Sequence, residues 1–176
     1  MTNNMLLSKT CSIYASDLHF ATIIFPFVDR EIQKNTTIRT ILEKDEQENI
    51  EKIIENIGLN SERKEKVKKV DWSNSDIGKI RETFKLLEKD IKDKKNVDVI
   101  VLGSNIFIEK VNKAIDLFVK NNLEELEKSK TRLNIINCFS FMENKENDNI
   151  INFHEYILKT TGIEETTNKK ELLKAN

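Results

Sequence analysis

Apolar residues along the chain fall into short runs that alternate with helix-spaced stripes. Met5 to Tyr14 is a short apolar run closed by Ala15-Ser16-Asp17, which predicts a strand followed by a helix capped at Ser16 or Asp17. Leu18, Ala21, Phe25, Val28 and Ile32 then recur at steps of three and four, the spacing of one helical face, so a helix is expected over 17–34. Pro26 inside it lacks a backbone donor, and a kink or a late start is expected there. Thr36 to Glu43 is rich in β-branched residues and reads as a strand. Ile50, Ile53, Ile54 and Ile57 mark the next helix, which ends at Gly58.

Val67 to Trp72 reads as a third strand, and Ile77, Ile80, Phe84, Leu87 and Ile91 as the amphipathic helix after it. Val97 to Leu102 (VDVIVL) is almost continuously apolar and ends at Gly103-Ser104-Asn105, the pattern of a central strand covered on both faces. A helix over 105–128 follows. Its 24 residues would extend about 36 Å, longer than a five- or six-residue strand of about 17–20 Å. An overhanging end would then offer Leu117, Val119, Leu123 and Leu126 to a partner or a second copy of the chain. The competing expectation is a break at Asn121-Asn122, since Asn commonly ends helices. Leu133 to Met142 is the last long strand, and a helix over 149–160 closes the core.

About five strands alternating with helices imply right-handed crossovers, and hence an α/β fold: a three-layer α/β/α sandwich around a mostly parallel sheet. Its 176 residues suit one domain, placed at 1–165, with 166–176 a polar tail. Lys plus Arg number 29 against 30 for Asp plus Glu, which removes the overall attraction to phosphates that nucleic-acid binding needs. The N-terminus carries no leader pattern and no segment approaches a membrane span, so residence in the cytoplasm is expected.

Candidate chemistry is sparse. Neither GxxxxGK[ST] nor GxGxxG occurs, so a P-loop hydrolase is disfavoured and no cofactor is expected. Backbone amides at Gly103, Ser104 and Asn105 could hold an anion at a helix start, although such a turn more often only caps the helix. Cys11 and Cys138 read as buried thiols. His19 and His154 have no metal-ligand spacing, and His154 reads as a partly buried, hydrogen-bonded residue of the last helix. Trp72 reads as core, and the basic runs Arg63–Lys69 and Lys89–Lys95 as solvated.

Several ordered features resemble the MEDS sensory domain family of bacterial and archaeal regulators, which is related to the RecA-like fold. They are the strand ending at Tyr14 followed by Asp17, Phe27 late in the first helix, the strand 36–43 with the helix to Gly58, Val97 to Gly103, Cys138 within 133–141, and His154. Asn35 departs from the family's Gly-Glu pair and Ser104 from an acid often found there. The resemblance implies a sensory or regulatory domain without a working phosphate loop, acting through a protein partner or a small ligand. Tyr14, Asp17, His19, Gly103, Ser104, Asn105 and His154 are then the candidate ligand residues. The rival expectation is an enzyme whose site is assembled from Asp17, His19, Asp71 and Ser104 at strand ends.

Overall fold

The computed structural model describes residues 6–143 and 147–166. The strands are β1 (Leu7–Tyr14), β2 (Thr37–Leu42), β3 (Val97–Leu102), β4 (Leu133–Ser140), β5 (Tyr156–Lys159) and β6 (Gly162–Glu165). The helices are α1 (Asp17–Gln33), α2 (Glu46–Asn56), α3 (Ser61–Lys68), α4 (Ile77–Lys92), α5 (Asn105–Asn121), α6 (Leu123–Ser129) and α7 (Asn147–Asn152). The strands form one sheet in the order β2-β3-β4-β1-β5-β6, parallel except for the β5–β6 hairpin. The fold is therefore α/β with a mostly parallel sheet flanked by helices on both faces.

Side-chain alternation along the strands divides the core in two. One face packs α1, α2 and α3 against Leu42, Ile100, Leu102, Ile136 and Cys138. The other packs α4, α5 and α6 against Ile41, Val97, Val99, Val101, Leu133 and Ile135. VDVIVL is buried at every position and lies inside the sheet, as its continuous apolar character requires. Both cysteines are buried and unpaired, and burial pushes the Cys11 thiol up to about 12. Among the described residues no helix is long and apolar enough to cross a membrane.

Three expected elements differ. Val67–Trp72 is not a strand. Asn60 caps α3 by accepting from the Arg63 amide, and the charged helix formers after it carry the helix through Val67, its one buried residue. Trp72 does join the core, donating from Nε1 to the Val67 carbonyl at 2.8 Å. The segment after α3 runs along the outer edge of β2, where Thr40 Oγ1 donates to the Asp71 carbonyl and the Ser75 amide to Leu42 O.

The helix expected over 105–128 breaks at Asn122, whose amide and side chain both donate to Phe118 O. α6 folds back, so Leu126 and Val119 are core, 1% and 9% exposed, while Leu117 and Leu123 stay exposed. No overhang exists to present these four residues. The helix expected over 149–160 is only α7; β-prone Tyr156-Ile157-Leu158 instead pairs with β1, and Gly162, at φ 122°, lies just past the hairpin turn. His154 therefore lies in the turn before β5, not on a helix.

α1 starts at Asp17 and passes through Pro26 without interruption in the helix, so no late start occurs. Thr166, assigned to the tail, is buried and donates its hydroxyl to His154 O at 2.7 Å. The rest of that tail lies outside the described residues.

Candidate functional site at the carboxyl rim

In an open parallel sheet, ligands bind beyond the carboxyl ends of the strands, where crossovers to opposite faces diverge. Here that point is β1 beside β4, since β1 leads into α1 on one face and β4 leads toward α7 and β5. The sequence-predicted Tyr14, Asp17 and His19 sit there. Only Ala15 and Ser16 separate β1 from α1. The Ala15 amide donates to His19 Nδ1 at 3.1 Å, the His19 amide to Ser16 Oγ at 3.2 Å, and the Phe20 amide to Ser16 O at 2.8 Å. Three of the turn's amides, those of Ala15, His19 and Phe20, are thus taken up within it. Tyr14 packs edge-on against Phe20, and Asp17 is exposed on the first turn of α1.

The β3–α5 turn is closed in a similar way, by a residue the sequence reading missed. Glu43, just past β2, takes the Ser104 amide on Oε2 at 2.5 Å and the Ser104 hydroxyl on Oε1 at 3.1 Å. The Ser104 hydroxyl also accepts from the Phe107 amide, capping α5. A carboxylate of the chain itself therefore fills the place where amides at a helix start would hold an external anion. Gly103 makes this approach possible, because a Cβ there would lie 2.6 Å from Glu43 Cβ and 2.8 Å from Phe107 Cδ1. Glu43 ends the run TTIRTILE, and only the parallel pairing of β2 with β3, Leu42 opposite Leu102, reveals its target.

Apolar side chains around these turns are left uncovered. Leu18, Ile77 and Ile106, in the first turns of α1, α4 and α5, are 60%, 73% and 66% exposed; Phe141 and Met142, just past β4, are 52% and 80% exposed. Beside β1 the rim opens into a groove of about 400 Å³ lined by Ile13, His19, Ile23, Phe141, Ile157 and Thr160. Because His19 Nδ1 accepts a hydrogen bond, the neutral ring carries its proton on Nε2.

Of the remaining predicted residues, Asn105 and His154 meet in one cavity and Asp71 lies apart. His154 is buried beside Lys9, below the end of β1, where it lines a cavity of about 230 Å³ with Asn105, Asn112, Asn137, Phe139 and Phe153. Asp71 lies beyond the far edge of the sheet, three strands from β1, in an ion pair with Lys79 at 2.6 Å and bonded to Ser73. That pair, with Ser73, holds the Asp71 carboxyl below its ordinary range against the opposing effect of partial burial. Asp17 and His19 therefore share the β1–α1 turn, while Ser104 lies two strands away past β3 and Asp71 beyond the edge strand β2. No cluster of His, Cys, Asp or Glu suited to a metal occurs among the described residues.

No family model and no curated protein sequence matches the chain. Among solved structures, one that is similar is described as a prototypical ATPase from the type III secretion system of pathogenic bacteria. It is 11% identical, with a TM-score of 0.49 over 85% of this chain and 50% of that one.

Proposed function

We propose that this chain is a non-catalytic sensory or regulatory domain of the cytoplasm that acts on a protein partner through its carboxyl rim. One observation carries the reading: the rim amides of Ala15, His19, Phe20 and Ser104 are taken up by the chain's own His19, Ser16 and Glu43, while Leu18, Ile77, Ile106, Phe141 and Met142, at the helix starts and strand end of the same rim, are uncovered. Internally satisfied amides offer little to a phosphate or a developing oxyanion, whereas a ring of exposed large apolar side chains suits a macromolecular contact. The resemblance to the MEDS sensory domains agrees with this reading. The partner is another protein, or a second copy of the chain.

The test uses Leu18→Lys/Met142→Lys, which alters exposed positions and should leave folding intact. The partner, or the homodimer, is expected to be lost with an unchanged melting temperature, and the parent chain should neither bind nor hydrolyse ATP or GTP. Retained association, or nucleotide turnover by the parent chain, would overturn the proposal. A small ligand is the second reading, favoured by the groove beside β1, whose apolar walls converge on one imidazole N–H donor.

A further inference from the structure

Asn137 is a polar residue on the apolar face of β4, 1% exposed between Ile135 and Phe139. Its hydrogen bonds form a directed chain. On α5, the Ile108 carbonyl accepts from Asn112 Nδ2 at 2.8 Å, which fixes the Asn112 amide with nitrogen toward the helix. The same Nδ2 donates to Asn137 Oδ1 at 2.9 Å, and Asn137 Nδ2 donates back to Asn112 Oδ1 at 3.2 Å. Asn137 therefore also turns its nitrogen toward His154 Nε2, 3.0 Å away. The other ring nitrogen, Nδ1, faces the Ile150 carbonyl at 2.7 Å and must donate. The imidazole is thus held neutral, with Nε2 as an acceptor, by a carbonyl two residues removed along the relay.

We propose that His154 is a proton-operated latch: a proton added at Nε2 reverses the polarity this relay requires and loosens α5 from β4 and from the entry to the β5–β6 hairpin. With Nε2 protonated, two N–H groups meet at 3.0 Å. Turning the Asn137 amide repairs that contact but sets its oxygen against Asn112 Oδ1. Turning Asn112 as well sets an oxygen against Ile108 O. Every rearrangement leaves at least one conflict, and the last falls on α5. The ring has little freedom to escape, because it packs edge-on against Phe139, with centroids 5.7 Å apart, and is tied through Ile150.

The hairpin shares the latch through the backbone. Thr166 donates its hydroxyl to His154 O at 2.7 Å and its amide to Glu155 O, and the Glu155 amide donates to Lys9 O. Among the described residues the charged groups lining the cavity are Lys9 from β1 and Glu109 from α5. Lys9 pairs with Asp116 of α5 at 2.6 Å. Burial, then the nearby Lys9, holds the His154 pKa below the ordinary 6.5, outweighing the Ile150 bond that raises it. The latch is therefore shut at neutral pH and opens on acidification.

The test is a pH titration of the full chain by NMR, following the ring proton of His154, the side-chain amides of Asn112 and Asn137, and the backbone amide of Thr166. All four are expected to move together with one midpoint below 6.5. In His154→Gln the pH response of the other three should vanish. In Asn137→Asp the carboxylate accepts from a protonated ring, so the midpoint should rise above 6.5. Asn112 and Thr166 signals that stay fixed while His154 titrates, or an Asn137→Asp midpoint that falls, would overturn the proposal. Should His154→Gln fail to fold, the direction of the Asn137→Asp shift decides alone.

Discussion

Asp98 allows a quantitative test of how the sheet's interior is built. It lies on β3 with no exposed surface. Its Oδ1 accepts from Asn134 Nδ2 at 3.1 Å and stands 3.4 Å from Arg132 Nη2, while Oδ2 has no partner among the described residues. Burial raises its carboxyl from 3.8 to about 6, against the weaker opposing pull of Arg132 and Asn134. An acid whose folded pKa is raised binds its proton more tightly in the folded state. Stability is therefore greatest below the unfolded value and falls as pH rises through the folded one. A shift of roughly two units corresponds to about 3 kcal/mol of destabilisation above pH ~6.

Asp98→Asn removes that dependence at nearly constant shape. Asn keeps the Oδ1 acceptor and, like the protonated acid, places an unpaired neutral donor group at the Oδ2 position, so the two proteins should be similar in acid and diverge on neutralisation. Urea unfolding at about pH 4.5 and about pH 7.5 should show the variant gaining roughly 2 kcal/mol on the parent between the two conditions. Contributions from His154 are common to both proteins and cancel. A stability difference that is the same at both pH values would refute a strained, ionised carboxylate at this position.

Gly103→Ala should destabilise by more than about 1 kcal/mol in thermal unfolding, because its Cβ meets Glu43 and Phe107 and must displace the carboxylate from the Ser104 amide. A neutral result would place Glu43 elsewhere. Leu126→Ala should cost roughly 2–5 kcal/mol as a core truncation, whereas Leu123→Lys, half-exposed on the same helix, should stay within about 0.5 kcal/mol. Equal effects would contradict the break at Asn122.

The framework of the fold was legible where a segment's pattern agreed with its burial. VDVIVL could only be a strand covered on both faces, and the stripes of α1 and α4 give one apolar side each. Val67–Trp72 misled because its three buried hydrophobics serve different elements: Val67 faces inward from a charged helix, and Val70 and Trp72 belong to the irregular segment after it. The region 149–160 misled because the hairpin's short strands carry too few residues to display a period of two. At the site, Glu43 was hidden since its partner is 61 residues away and appears only through strand register. Asn137 was visible as a polar interruption of LNIINCF, a buried-polar signal that the reading of that run as a strand left unused. For the leucines past residue 116 the sequence offered both an overhang and a break at Asn121-Asn122, and the break is what occurs, because Asn122 closes α5 on Phe118 and turns Leu126 into the core.

The central claim, that this domain engages a protein through its carboxyl rim, is tested most directly by site-specific photo-crosslinking in the cell that makes it. A benzophenone side chain placed at Leu18, Ile106 or Met142 is expected to give one discrete protein adduct shared by all three positions. The same probe at Glu127 on α6 should give none. Adducts at Glu127 with none at the rim would contradict the account.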